Sequence, residues 1–265
     1  MLVTFVGCAG VGKNTIIDEL IKSDPDYYGM FPTLTTREPR EGEKEGERYH
    51  FVSREEFKKR LAEGEIYEHE IIHSSNTYYG GSKKVLEKHL ATGKTLIKDI
   101  DVLGARTYKQ KLSGITRILS VFLYVEDLEI LIDRMRMRGD KEEDIMTRRK
   151  RFPMEMAMSS DSEYMVNNIS IPETAAAINA IIRNEDELGG WYRPAEGCEA
   201  QGEDMEWADL TFNGNELLIT AGAAAYARAM REGRFIQKKV RTLTNCDIKP
   251  ADTSLEAWKN DILNA

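Results

Sequence analysis

Apolar residues occur along this chain in two rhythms. Largely apolar runs at 2–6, 95–97 and 118–125 have the length and composition of strands buried on both faces. Between them the apolar positions recur at helical spacing, first at Ile16, Ile17, Leu20 and Ile21 and then through 57–61 and 85–90. Such alternation predicts an α/β fold built on a doubly wound parallel sheet. Residues 33–82 break the pattern: they are polar, rich in glycine and tyrosine, and hold only short strand-like pieces at 49–52 and 66–69. A small mixed α/β insertion with its own binding surface is expected there. An arginine-rich helical stretch at 128–151, interrupted at 139–144, has the composition of a mobile lid, and helical spacing resumes at 174–182.

The pattern changes again after about residue 184. Residues 185–216 hold ten Asp or Glu and one arginine, Arg193. A boundary is expected there, dividing a first domain (1–184, with its insertion at about 33–82 and lid at about 134–150) from a small α+β extension (185–265). In the extension, Leu210-Thr211-Phe212 and 216–220 flank Asn213-Gly214-Asn215, a turn composition that predicts a β-hairpin. A helix over 223–232 is expected next. Residues 228–241 carry six basic residues and one acidic, which fits either a solvated helix face or a nucleic-acid contact.

Composition narrows the class. The chain has 265 residues, 41% of them hydrophobic and 31% charged, with a formal net charge of −8. This is ordinary for a globular protein and argues against a nucleic-acid surface covering the whole molecule. Cys8, Cys198 and Cys246 are far apart and lack the spacing of a disulfide framework or a zinc site. The N-terminal apolar run is too short for a signal peptide and no stretch reaches the length of a membrane span, so a cytoplasmic protein is expected.

The first strand runs directly into Gly7-Cys8-Ala9-Gly10-Val11-Gly12-Lys13-Asn14-Thr15. The spacing G-x-x-x-x-G-K between a buried strand and an amphipathic helix is that of a phosphate-binding loop. Its glycines allow backbone N–H groups to converge on a polyphosphate, the helix N-terminus adds a favourable dipole, and Lys13 neutralises charge on the outer phosphates. A nucleoside triphosphate is the expected ligand.

A second motif concerns the acceptor. Thr33-Leu34-Thr35-Thr36-Arg37-Glu38-Pro39-Arg40-Glu41-Gly42-Glu43-Lys44-Glu45-Gly46-Glu47-Arg48-Tyr49-His50-Phe51 resembles the guanylate kinase pattern S-x-T-T-R-x-x-R-x-G-E-x-x-G-x-x-Y-x-F, with Thr33 standing for the serine. The resemblance continues through Glu68-His69, Tyr79-Gly80, Asp99-Ile100-Asp101-Val102-Leu103-Gly104, the region 134–148 and Tyr164-Met165-Val166-Asn167. It covers the chain to about residue 183. It implies phosphorylation of GMP or dGMP by ATP with Mg2+.

The residue types suit that chemistry. A dianionic phosphate is clamped by two guanidinium forks, here Arg37 and Arg40, with the hydroxyls of Tyr49 and Tyr79 completing the cage. Guanine offers N1–H and an exocyclic amine along one edge, and a carboxylate accepts from both. Glu68 is the candidate, assisted by Asp101 and Thr33. Adenine lacks N1–H and leaves a carboxylate oxygen unpaired, a mismatch that such sites reject by roughly 10⁴ or more. On the donor side the resemblance assigns Lys13, Arg138 and Arg148 to the transferring phosphoryl group, with Arg134 nearby, and Asn14 and Asp99 to magnesium, partly through water. Arg136, Arg149 and Arg151 fit a solvated helix face.

Three positions depart from the family pattern. Asn14 replaces a Ser or Thr that binds magnesium, Gly81 stands where a Ser or Thr contacts the base, and Lys98 occupies an apolar strand position where an ion pair with Asp99 would move the metal site. These departures leave two other readings open at this point: a kinase of another nucleotide, a modified nucleotide or a DNA base, and a non-catalytic binding module of the same fold.

Overall fold

The computed structural model describes residues 1–40, 42–72, 76–188, 193–194, 207–212, 217–221 and 239–243. In chain order the first half contains β1 (Leu2–Val6), α1 (Lys13–Ser23), β2 (Tyr28–Met30), β3 (Thr33–Thr35), β4 (Tyr49–Phe51), α2 (Arg54–Ala62), β5 (Ile66–Ile72), β6 (Thr77–Ser82), α3 (Lys83–Leu90), β7 (Thr95–Asp99) and α4 (Val102–Leu112). The second half contains β8 (Ile118–Tyr124), α5 (Glu129–Met137), α6 (Glu142–Arg149), α7 (Phe152–Ala157), β9 (Tyr164–Asn167), α8 (Ile171–Leu188), β10 (Arg193–Pro194), β11 (Trp207–Phe212), β12 (Leu217–Ala221) and β13 (Lys239–Leu243). These elements form two compact units, Met1–Thr4 with Ile21–Leu119 and Phe5–Leu20 with Ser120–Ala265.

In the first unit β2 runs parallel to β7, and β3 to β6 form a separate sheet in the order β4-β3-β6-β5. That sheet lies between Thr33 and Ser82. Leu34, Phe57 and Ile66 form its core, with Tyr78 packed against them. A second core gathers Leu2, Phe31, Tyr67, Leu86, Leu96, Tyr108 and Leu112. Polar caps define where the helices start: Ser53 accepts from Glu56 N–H ahead of α2, Ser82 from Val85 N–H ahead of α3, and Asp101 from Gly104 N–H ahead of α4.

The strands of the second unit follow the order β10-β12-β11-β13-β9-β8-β1. β8 and β9 are parallel and almost wholly buried, as their apolar runs require. The break in the arginine-rich stretch is shorter than its composition implied, because Glu142, Glu143 and Asp144 form the first turn of α6, where acidic side chains favour a helix N-terminus. β11 and β12 are antiparallel, with Phe212 opposite Leu217, as the hairpin pattern predicts. Their turn at 213–216 lies outside the described residues, as do the expected helix at 223–232 and the basic positions 228–238. β13 runs parallel to both β9 and β11, so the strands after α8 extend the sheet of this unit. Among the described residues no helix is long and apolar enough to cross a membrane.

Phe57 is fully buried in the insertion's small core. Phe57→Ala should destabilise the protein by about 3–5 kcal/mol, measured by urea unfolding; a loss below about 1 kcal/mol would mean that this core does not hold the four-stranded sheet.

Candidate active site

The loop between β1 and α1 is shaped by backbone approach. Gly7, Gly10 and Gly12 all have positive φ, and a Cβ on Gly7 would fall 2.3 Å from the Leu123 carbonyl oxygen in β8. No side chain fits there. Lys13 folds back over the loop, its Nζ donating to the Gly7 carbonyl at 2.7 Å and to the Cys8 carbonyl at 3.4 Å. Asn168 Nδ2 donates to the Val11 carbonyl at 2.6 Å, and Arg134 reaches the same oxygen at 3.3 Å. Sequence reasoning missed Asn168, which follows β9 and meets the loop only through the fold. Asn14 and Thr15 are exposed in the first turn of α1. The Cys8 thiol is pushed up by burial and by the neighbouring Glu155 carboxylate, so it is a packed thiol rather than a reactive one.

The lid arginines are organised by one acid. Arg138 donates to both carboxylate oxygens of Asp140, at 2.9 and 2.5 Å, and Arg148 donates to one of them at 3.2 Å. Asp140 thereby brings together the two arginines singled out for transfer. Arg136 and Arg149 pair instead with Glu142 and Glu129 at 2.7 Å each, and Arg151 lies 3.4 Å from Glu155.

The residues expected to hold the acceptor lie in the first unit. Arg37 forms a bidentate pair with Glu43, both bonds 2.6 Å, and its guanidinium stacks 4.6 Å from the centre of the Tyr49 ring. Tyr49 and Tyr79 meet edge to face at 6.3 Å. The Arg37 fork holds Glu43 down to about 2, and Glu43 in turn holds Arg37 above the usual guanidinium range. Arg40 is tied to the same carboxylate through its backbone N–H at 2.8 Å while its side chain is exposed. Glu43 therefore orients Arg37 and ties down the Arg40 backbone, a role that its place in the motif alone did not reveal.

Glu68 sits at an irregularity of β5, where the register against β6 shifts between Ile66 and His69. Such a bulge re-aims a side chain. Beside Glu68, the buried Lys98 donates to the Thr33 hydroxyl at 2.5 Å and lies 4.6 Å from the centre of the Phe31 ring. Burial brings Lys98 down to about 8, against the attraction of Glu68 and Asp99. Its ammonium is thus directed at Thr33 as well as toward the neighbouring carboxylates. Asp101 uses one carboxylate oxygen as the α4 cap, 2.7 Å from Gly104 N–H. Asp99 ends β7. Gly81, in β6, has no room for a side chain, since a Cβ would lie 1.7 Å from the Tyr108 hydroxyl. Among the described residues no group of three or more His, Cys, Asp or Glu side chains forms a metal cage.

Comparison with known proteins gives a consistent result. The sequence profile of guanylate kinases matches residues 1–185. A guanylate kinase of Corynebacterium jeikeium is 33% identical over 183 residues, covering 69% of this chain and 95% of its own length. One from Idiomarina loihiensis is 36% identical over 176 residues, covering 66% and 81%. The crystal structure of guanylate kinase from Anaplasma phagocytophilum aligns with a TM-score of 0.54 at 27% identity, over 71% of this chain and 86% of that one.

The site carries a pH dependence of defined sign. Glu68 is raised above the usual carboxylate range, first by burial; Lys98 and Tyr108 oppose the rise and Asp101 and Glu70 add to it. A carboxyl that holds its proton more tightly when folded contributes stability that is present below the unfolded value and is lost as pH rises through the folded one. Glu68→Gln should remove this slope, so that urea midpoints of the variant fall less than those of the wild type from acid pH toward neutrality. Parallel curves would mean that Glu68 is not buried as a charge.

Proposed function

We propose, from the premise that the chain belongs to the guanylate kinase family, that it transfers the γ-phosphoryl group of ATP to GMP or dGMP by direct in-line displacement. The observation that carries the reading is that Glu68 lies on the same four-stranded sheet as Tyr49 and Tyr79, with Arg37 stacked on the Tyr49 ring. That sheet joins a half-buried carboxylate suited to two adjacent donors with a guanidinium suited to a dianion. The acceptor is therefore assigned to the first unit. The triphosphate is assigned to the second, on the glycine loop and Lys13.

Phosphoryl transfer requires positioning and charge neutralisation more than covalent chemistry. Lys13, held at the loop by two carbonyls, neutralises the outer phosphates. Arg138 and Arg148, held as a pair by Asp140, stabilise the charge that moves with the phosphoryl group. Arg37, pre-set by Glu43, and Arg40 bind the acceptor phosphate, and the Tyr49 and Tyr79 hydroxyls complete its hydrogen bonds. Glu68 accepts from guanine N1–H and the exocyclic amine, with Thr33 and Asp101 alongside. Asn14 would help hold a magnesium ion, partly through water, since its amide oxygen suits a hard cation that keeps most of its waters. Bound magnesium supplies charge neutralisation at the phosphate oxygens.

A coupled assay with magnesium and ATP, scanning GMP, dGMP, AMP, CMP, UMP and dTMP, tests the reading. Turnover confined to GMP and dGMP is expected, with a loss of at least about 10²-fold in Lys13→Ala. Binding of both nucleotides without turnover would make the chain a binding module, and equal use of AMP would remove Glu68 from base reading.

A further inference from the structure

Tyr108 projects from α4 into the core formed by Leu2, Phe31, Tyr67, Leu86 and Leu96, and it is fully buried. Its hydroxyl has no hydrogen-bond partner of good geometry. A phenol oxygen in such a place is costly, and a phenylalanine would fill the same space without the penalty. The hydroxyl has two neighbours that account for it. One is the carboxylate of Glu68. The other is the backbone of Gly81, where a Cβ would stand 1.7 Å from the hydroxyl oxygen and 2.8 Å from Cζ. Any side chain at position 81 would therefore exclude the tyrosine. The hydroxyl of Tyr108 occupies the volume in which a side chain from β6 would begin, and it enters that volume from the opposite direction.

The chemistry of the carboxylate gives this exchange a purpose. A carboxylate offers about four lone-pair sites, and the two adjacent donors of guanine use two of them. The remainder lie inside the protein, where unpaired acceptor sites favour protonation. A protonated carboxyl presents one donor and one acceptor, which no longer matches N1–H beside an amine but does match an edge with one acceptor and one amine, as in adenine. The groups that face Glu68 are Lys98 on β7, Asp101 at the start of α4, Glu70 on its own strand and Tyr108. Lys98 donates to the Thr33 hydroxyl and, at 3.5 Å, to the Phe31 carbonyl, which occupies two of its three N–H donors, and the two acids offer no donor. The phenol is a further donor to the carboxylate from within the core.

We propose that Tyr108 is a positioning residue for acceptor specificity: in the space left by Gly81, its hydroxyl donates to the inner side of the Glu68 carboxylate and turns the outer lone pairs toward the guanine edge. The proposal rests on the reading of Glu68 as the base-recognition residue. It makes Gly81 and Tyr108 a matched pair, with one hydroxyl serving the site from α4 instead of from β6.

The test uses the full chain and three variants: Tyr108→Phe, Gly81→Ser, and the two combined. Tyr108→Phe removes one oxygen and keeps the ring. KM for GMP should rise about tenfold while kcat at saturating GMP falls far less. The preference for GMP over AMP should narrow, and the acid limb of kcat/KM should move to higher pH. Gly81→Ser alone brings a side chain against the hydroxyl and should lower both GMP use and thermal stability. The double variant returns a hydroxyl to the same volume and leaves the ring contacts at 2.8 and 3.2 Å to relax, so it should bind GMP more tightly than Tyr108→Phe. Wild-type KM, selectivity and pH profile in Tyr108→Phe would overturn the proposal, as would a double variant no better than that single one. A wild-type protein that binds no GMP would overturn the Glu68 reading itself, an outcome separate from a failure seen only in the variants.

Discussion

Charge held away from water must be met by opposite charge or by a dipole, and this requirement organises both units. Four of the five basic side chains assigned to a phosphate are oriented by an acceptor of their own unit: Lys13 by the carbonyls of Gly7 and Cys8, Arg37 by Glu43, and Arg138 with Arg148 by Asp140. The cations are thereby held in position, which reduces the ordering that binding a polyanion would otherwise demand. The exposed pairs contribute little to stability. Their value lies in geometry.

The same requirement takes a harder form around Glu68, the carboxylate proposed to read the base. Lys98 is removed from water in the first unit and Glu68 is half-buried beside it, so the two do not form a simple surface ion pair. Lys98 spends a hydrogen bond on Thr33 and faces the Phe31 ring, so its charge is spread over a hydroxyl, an aromatic face and the nearby carboxylates. A network of this kind is sensitive to every member, because each unsatisfied group raises the cost of the others. The departures from the family pattern at Gly81 and Lys98 fall inside this one cluster, and Tyr108 joins them there.

The strands beyond α8 extend the sheet of the second unit through β13, which pairs with β9. Tyr164 in β9 also hydrogen-bonds Glu185 in α8. The acidic composition after residue 184 therefore coexists with strands that continue the sheet, since strand addition depends on backbone hydrogen bonds and tolerates polar side chains between strands.

Much of the architecture was legible from local pattern. Buried parallel strands are near-continuous apolar runs, so β1, β7 and β8 could be read directly, and the glycine loop could be read because its spacing meets a strand on one side and a helix on the other. The short strands β2 and β9 escaped because three or four residues carry too little periodicity. The residue types able to bind phosphate and read a base were likewise present in the chain, in the motif from Thr33 to Phe51 and at Glu68. What only tertiary structure decided was partnership: Glu43 as the orienting acid of Arg37, Asp140 as the shared acid of Arg138 and Arg148, Asn168 against the loop, and Tyr108 in the space of Gly81. The physical reason is range. Periodicity and capping act within a few residues, whereas a hydroxyl in α4 can replace a side chain in β6 only when folding has brought the two backbones together.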